Sequence, residues 1–171
     1  MEKNKLALKI ALIAICTAIV TVFTIAIQIP VGKEYLNFSD VAIVFIAFAF
    51  GPVPGLIAGG LGPAIGDIIS GYASWAPISL AVHGLEGLAV GLLASRIRSP
   101  RLLMEALTTL VDIAIVALGY YLLGALFITD FRTSLTGVPI NILQGVSGGV
   151  IGILLYEAVH KAYRKIDDLR W

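Results

Sequence analysis

The sequence predicts an all-α, polytopic membrane protein: a compact bundle of six transmembrane helices that forms a single domain over residues 1–171. Three observations lead to this fold class. The chain is 58% apolar and 13% charged with a mean hydropathy of +0.96, whereas soluble domains are about 25% charged. Six apolar stretches are separated by short breaks rich in glycine and proline. Once six spans are drawn, the basic residues gather on one side of the membrane.

The same composition excludes several classes of protein. A water-soluble enzyme needs more charge, and a disordered chain needs low hydropathy and a high net charge. The net charge of +1 gives no reason to expect a nucleic-acid partner. A single cysteine leaves no internal disulfide and no cysteine-rich metal site.

The first three helices are bounded by breaker residues. The first covers about residues 6–29, and Pro30 and Gly32 follow it. Its apolar run is longer than the core of a signal peptide, so we expect it to be retained. The second covers about residues 40–50 and the third about 55–70. Both are short, and we expect them to lie mostly inside the bundle, because irregular backbone is not tolerated against lipid.

The last three helices are longer. Pro77 suits the first turn of the fourth, which covers about residues 77–95. The fifth covers about residues 102–128, a polar loop follows at 129–136, and the sixth covers about 137–159. Six spans of about 20 residues leave room for short loops and for no separate soluble domain.

The lysines and arginines orient the bundle. With six spans both termini lie on one side, and ten of the twelve basic residues lie there too. These ten are Lys3, Lys5, Lys9, Arg96, Arg98, Arg101, Lys161, Arg164, Lys165 and Arg170. The opposite side holds Lys33 and Arg132. The positive-inside rule therefore predicts that both termini are cytoplasmic.

Polar side chains concentrate in the outer half of this bundle, where they predict a binding site. They are Asp40, Asp67, Ser79, His83, Glu86, Asn141 and Gln144. Ser79, His83 and Glu86 share one helix face through their i, i+4, i+7 spacing. Ionisable groups in a membrane are costly and mark sites or pathways by default. Asp112 is expected to stand apart in the inner half, tied to a neighbouring helix.

Structural interpretations of these residues stay open. Asp40 can stabilise a helix N-terminus, and Asp67 can lie at the water boundary. His83 and Glu86 can satisfy each other in the core, while Asn141 and Gln144 can join helices.

Aromatic residues lie at the same level as the polar side chains. They are Tyr35, Phe38, Tyr72, Trp75, Tyr120 and Tyr121. For most of them an interfacial belt is the first interpretation. An aromatic pocket with a few polar groups also suits a flat heteroaromatic ligand. Glu86 is the group that we expect to pair with its ring nitrogens or amino groups, beside His83.

Small residues form stripes on several helices. Ala7, Ala11, Ala14 and Ala18 recur along one face of the first helix, and this stripe predicts a surface for a partner helix. Glycines repeat at four-residue spacing on the third, fourth and sixth helices, and these seams indicate packing inside the bundle.

The sequence lacks several motifs of energy conversion and catalysis. It contains no phosphate-binding loop, no metal-ligand spacing and no nucleophile turn. We therefore expect no cofactor, no resident metal and no enzymatic activity. A capture protein that depends on another machine for energy fits these absences. The alternative is a self-sufficient carrier or channel in which Asp67, Glu86 and Asp112 relay a proton or cation.

Residues 66–77 and 83–87, together with the alanine stripe, resemble the substrate-binding S components of energy-coupling factor (ECF) vitamin transporters. The resemblance covers nearly the whole chain. It implies a prokaryotic cell-membrane protein that captures a vitamin or precursor from outside under a lid, here about residues 31–38. It also implies that the alanine stripe meets a transmembrane coupling (T) subunit, which associates with two ATPases.

Within this family, the segment is similar to members associated with riboflavin-like, pyrimidine and pyridoxine-type compounds. Because Glu86 and His83 suit an aminopyrimidine, a thiamine-pathway precursor such as hydroxymethylpyrimidine is the favoured ligand. Riboflavin and a pyridoxine-like compound are the alternatives. The predicted ligand-binding residues are Glu86, His83, Ser79, Asn141, Gln144, Asp67, Tyr35 and Trp75.

Overall fold

A computed structural model describes residues 2–31, 34–96 and 101–171. Gly32 and Lys33 of the predicted lid, and Arg98 of the predicted basic loop, lie outside the described residues. The helices are α1 (Glu2–Ala26), α2 (Ser39–Phe50), α3 (Pro52–Ile69), α4 (Ala76–Ala94), α5 (Arg101–Phe127), α6 (Phe131–Leu135), α7 (Val138–Ser147) and α8 (Ile153–Ala162). A π-helical turn covers Gly148–Gly152, a 3-10 helix covers Arg164–Leu169, and strands β1 (Ile29–Val31) and β2 (Glu34–Leu36) form a hairpin.

The predicted bundle of six apolar helices is confirmed. Five described helices are long and apolar enough to cross a membrane: α1, α3, α4, α5 and the composite segment Phe131–Ala162. Helix α2 has only 12 residues, and nearly all of them are buried by the helices around it. Its burial agrees with the expectation for a short span, because lipid cannot hydrogen-bond the backbone at its ends.

Several predicted boundaries were wrong for local reasons. The first helix ends at Ala26, since the residues after Gln28 pair as β1 with β2 instead of continuing the helix. Helix α3 begins at Pro52, because Gly51 makes the whole turn from α2 with a φ of 96°. The predicted loop at 129–136 contains α6, which Asp130 caps by accepting from the backbone N–H groups of Arg132 and Thr133.

The glycine seams bring the helices close together, as predicted. A Cβ on Gly87 of α4 would overlap the Gly55 carbonyl of α3, so these two helices meet backbone to backbone. On another face of α3, Gly62 and Gly66 receive Val20 and Thr24 of α1. Helix α3 is therefore held tightly between α1 and α4.

The N-terminal part of α1 and the C-terminal residue lie at one end of the bundle. The Lys9 ammonium lies 4.2 Å from the ring centroid of Trp171, and the Trp171 backbone N–H donates to the carbonyl of Phe50. This arrangement agrees with an even number of spans. The side of the membrane on which this end lies stays a prediction.

Candidate ligand pocket

A pocket lies where the hairpin, α3, α4, α5 and α7 converge, away from the Lys9–Trp171 end. Its lining residues are Tyr35, Asn37, Pro63, Asp67, Tyr72, Trp75, Ser79, Tyr120, Asn141 and Gln144. Six of the eight predicted ligand-binding residues are therefore brought to one cavity. The other two, His83 and Glu86, are not.

The Asp67 carboxylate is the centre of a hydrogen-bond chain in the pocket wall. Tyr35 donates its hydroxyl to Asp67 Oδ1 at 2.5 Å, and Ser79 donates to Oδ2 at 2.5 Å. The Ser79 and Tyr120 hydroxyls are 2.6 Å apart. Asp67 is 3% exposed, and its two partners on β2 and α4 fix the position of its carboxyl group.

The Tyr35 hydroxyl remains a donor over the physiological pH range. Burial raises the pKa of Tyr35, and the hydrogen bond to the Asp67 carboxylate and its charge raise this pKa further. The hairpin is thereby tied to α3 through a proton that stays on the phenol.

Aromatic rings form two walls of the pocket. The Tyr35 and Tyr72 ring centroids are 4.8 Å apart, and those of Trp75 and Tyr120 are 6.0 Å apart. Four of the six aromatic residues for which a membrane belt was the first interpretation thus line the cavity. Tyr121 instead packs on Phe131.

Amide side chains form the part of the wall nearest to the bundle core. Gln144 Oε1 accepts from the Asn37 backbone N–H at 3.3 Å, and its Nε2 donates to Asp40 Oδ1 at 3.0 Å. Gln144 therefore connects the pocket to a carboxyl group below it. Asn141 lies one turn earlier on α7 and also lines the pocket.

Below the pocket is a buried ionic cluster that joins α2, α4 and α5. His83 Nδ1 lies 2.6 Å from Glu86 Oε2 and 3.4 Å from Asp40 Oδ1, and all three side chains are fully buried. Asp112 is fully buried beside Glu86. The expectation that Asp112 stands apart was therefore wrong.

The separation of His83 and Glu86 from the cavity has a geometric cause. The i, i+4, i+7 spacing places Ser79, His83 and Glu86 on one face, but the helix rises about 10 Å over seven residues. Only Ser79 reaches the pocket. The Tyr120 ring packs against His83 with centroids 5.5 Å apart, and it lines the pocket where His83 does not.

Four lining residues are absent from the predicted set: Asn37, Pro63, Tyr72 and Tyr120. From the sequence, Tyr72 and Tyr120 were identified only as aromatic residues at the same depth in the membrane as the polar side chains. Asn37 lies just before α2, where its Oδ1 accepts from the Ser39 backbone N–H at 2.7 Å. Pro63 was not predictable as a pocket residue, because a proline inside a helix predicts only a kink.

The alanine stripe lies on a face of α1 that no described residue covers. Ala7, Ala11, Ala14 and Ala18 are all exposed. Beside them, a shallow apolar groove runs between α1 and α3, with Ile10, Leu61 and Ile65 among its lining residues. Helix α1 is also the least buried of the five long spans.

Comparisons with known proteins agree with this architecture. The family model described as "ECF-type riboflavin transporter, S component" matches residues 5–162. The thiamine precursor transporter HmpT of Lactococcus lactis is 28% identical over 92% of this chain and 91% of its own. A solved structure of the S component of a bacterial ECF transporter matches 94% of this chain and 98% of its own with a TM-score of 0.64, at 24% identity.

Two further relatives match only in part. An uncharacterised protein of Pyrococcus woesei is 47% identical over 72 residues, which are 42% of this chain and 48% of that protein. A UPF0397 protein of Streptococcus pneumoniae is 34% identical over 79 residues, or 46% of this chain and 43% of its own length. In both cases, the match covers about half of the relative's length.

Proposed function

Because the chain belongs to the ECF-type riboflavin transporter S component family, we propose that it captures a vitamin or vitamin precursor for an ECF-type ABC importer. The family and the fold are those of a multi-pass membrane transporter component. The observation that carries the proposal is the pocket in which Asp67 is held by Tyr35 and Ser79 between two aromatic walls.

The ligand that we favour is a small aminopyrimidine such as hydroxymethylpyrimidine. The paired aromatic rings suit a flat ligand, and the Asp67 carboxylate can accept from an exocyclic amino group. The relative HmpT, named as a thiamine precursor transporter, supports the same choice.

The pocket charge also favours an uncharged or cationic ligand. Among the described residues that line the cavity, none is lysine, arginine or histidine, and Asp67 contributes a carboxylate. A phosphate group would find no positive partner on these side chains. Riboflavin, which the family name indicates, and a pyridoxine-like compound are the alternatives that the binding experiment separates.

The eight predicted ligand-binding residues take two roles in this proposal. Six of them contact the ligand directly: Tyr35, Asp67, Trp75, Ser79, Asn141 and Gln144. His83 and Glu86 act from below, because His83 packs against Tyr120 and the cluster holds Asp40, which accepts from Gln144.

The hairpin, which includes part of the loop expected at 31–38, is the proposed lid. Tyr35 and Asn37 are the lid residues that line the pocket. The hydrogen bond from Tyr35 to Asp67 holds the lid closed, and a ligand amino group that competes for Asp67 loosens it.

Transport requires partners in this proposal. The alanine stripe on α1 receives the transmembrane coupling subunit, and two ATPases bound to that subunit supply the energy. The protein then lies in a prokaryotic cell membrane with both termini in the cytoplasm, and the pocket opens to the outside.

The test uses purified protein in nanodiscs. We expect hydroxymethylpyrimidine to bind with one site per chain in calorimetry, more tightly than riboflavin or pyridoxine, and its phosphate ester to bind at least about tenfold more weakly. No binding and no thermal shift with any of these compounds would overturn capture. Proton-driven uptake into liposomes that contain this chain alone would instead support the self-sufficient carrier.

A further inference from the structure

The buried cluster below the pocket has a charge that its own residues do not balance. Asp40 from α2, His83 and Glu86 from α4, and Asp112 from α5 are fully buried. Three carboxyl groups face one imidazole, which carries at most one positive charge. With all three carboxyl groups ionised, the excess negative charge would have no partner among the described residues, and buried charges in proteins are usually paired, bound to metals or neutralised by protons.

Five polar atoms of the cluster have no hydrogen-bond partner among the described residues. They are Asp40 Oδ2, His83 Nε2, Glu86 Oε1 and both Asp112 carboxyl oxygens, and all five are buried. Most buried polar atoms in proteins do have such a partner. Asp112 adjoins Glu86, and two adjacent carboxyl groups need a proton or a cation between them.

The ligand types and their spacing favour a metal ion. Asp40, His83 and Glu86 can each present one ligand atom within 4.8 Å of the others. Both carboxylates lie beside His83 Nδ1, with Glu86 Oε2 at 2.6 Å and Asp40 Oδ1 at 3.4 Å. Nδ1 is therefore the ring nitrogen that can share an ion with them. One imidazole with carboxylate oxygens suits first-row divalent metals such as Mn²⁺, Fe²⁺ and Zn²⁺.

We propose that Asp40, His83, Glu86 and Asp112 bind one divalent transition-metal ion between α2, α4 and α5. The ion neutralises two of the three negative charges. The third negative charge is stabilised by hydrogen bonds at Asp40, whose Oδ1 accepts from Gln144 Nε2 and from the Ser39 hydroxyl. Through Gln144 the ion also fixes one wall of the ligand pocket. The absence of metal-ligand spacing from the sequence is explained, because the ligands come from three helices.

The experiment measures metal binding directly. The full chain is purified with a tag that has no histidine, stripped with a chelator, loaded with MnCl₂ or ZnSO₄ and desalted. We expect about one equivalent of metal per chain by plasma mass spectrometry, and an excess of Mg²⁺ should not displace it. For bound Mn²⁺, pulsed EPR should show coupling to one imidazole nitrogen.

Variants locate the site. Asp112→Asn should lower Mn²⁺ affinity at least about tenfold, since it removes a charged ligand that lies outside the pocket wall. Glu105→Gln is the matched control, two turns earlier on α5 and paired with Arg101. The chain has two histidines, so His160→Gln leaves His83 as the only imidazole, and the nitrogen coupling should persist.

Two results would overturn the metal site. One is less than about a tenth of an equivalent bound by the wild type, which would leave protons as the partners of these carboxyl groups. The other is Mn²⁺ that binds the wild type without nitrogen coupling. This result would show that the ion is held by surface carboxylates, and it does not depend on the folding of any variant. Hydroxymethylpyrimidine binding to the stripped protein is measured in parallel, so failure of the metal site is distinguished from failure of the proposed capture function.

Discussion

At the scale of single residues, the pocket depends on how a few buried polar groups are satisfied. Asp67 accepts hydrogen bonds from two hydroxyl groups and still lines the pocket. The free-energy cost of burying this carboxyl group is therefore met in the folded protein, and a ligand can bind to it without adding that cost. His83 and Glu86 are instead held by each other and by Asp40. This difference in partners separates a recognition group from a supporting one.

Removal of the Asp67 charge should weaken ligand binding without loss of the fold. Asp67→Asn keeps an acceptor but loses a charge-assisted hydrogen bond, which contributes about 1.5–3 kcal/mol, so we expect the Kd for hydroxymethylpyrimidine to rise about 10–100-fold in calorimetry. Asp130→Asn is the control, because asparagine caps a helix as well as aspartate. Equal affinities of the two variants would remove Asp67 from the site.

Glu86 should matter more to stability than to affinity. Glu86→Gln takes the charge away from a buried partner of His83, and loss of such a partner costs about 3–5 kcal/mol. We expect a lower thermal unfolding temperature and a smaller loss of affinity than Asp67→Asn causes. Glu157→Gln, at a half-buried position where the carboxylate pairs with Arg101, serves as the control. Abolished ligand binding with unchanged unfolding would show that Glu86 contacts the ligand.

At the scale of elements, close helix contacts decide where the pocket residues lie. Helix α3 carries Asp67 and α4 carries Ser79, and the two helices meet through glycines. The helices themselves were predictable, because apolar runs and proline–glycine breaks are local signals. The hairpin was not predictable, because Pro30 indicates only that the first helix ends. The π-helical turn at Gly148–Gly152 was not predictable either, because its sequence differs from that of an ordinary helix only in its glycines.

The α3–α4 contact gives a sharp test of this packing. Gly87→Ala would drive a Cβ into the Gly55 backbone, and overpacking of this kind costs about 1–3 kcal/mol. We expect lower thermal stability and weaker ligand binding. Gly84→Ala, three residues earlier on the same helix, has no atom nearer than 3.5 Å to its new Cβ. It should be neutral or stabilising, and an equal loss in both variants would contradict the packing.

The alanine stripe should affect assembly alone. Ala11→Leu with Ala14→Leu adds bulk to an exposed face of α1, so co-purification with the coupling subunit should be lost while the Kd for ligand is unchanged. Ala106→Leu, at an exposed position on α5, is the matched control. Loss of ligand binding with intact assembly would show that the role assigned to the stripe is reversed.

At the scale of the whole molecule, the bundle separates three tasks along its length and around its circumference. The pocket lies at one end, the ionic cluster lies beneath it, and the uncovered alanine face runs along α1. Depth in the bundle could be estimated from sequence, which is why Asp67, Ser79, Asn141 and Gln144 were found. Contacts between residues far apart in sequence could not be estimated in this way, so the meeting of Asp40, His83 and Asp112 was not predictable.

An experimental structure of the protein with hydroxymethylpyrimidine bound tests the proposed pocket most directly. We expect the ring to lie between the Tyr35–Tyr72 and Trp75–Tyr120 pairs, with its amino group within hydrogen-bond distance of Asp67. A ring seated between His83 and Glu86, or bound outside this pocket, would contradict it.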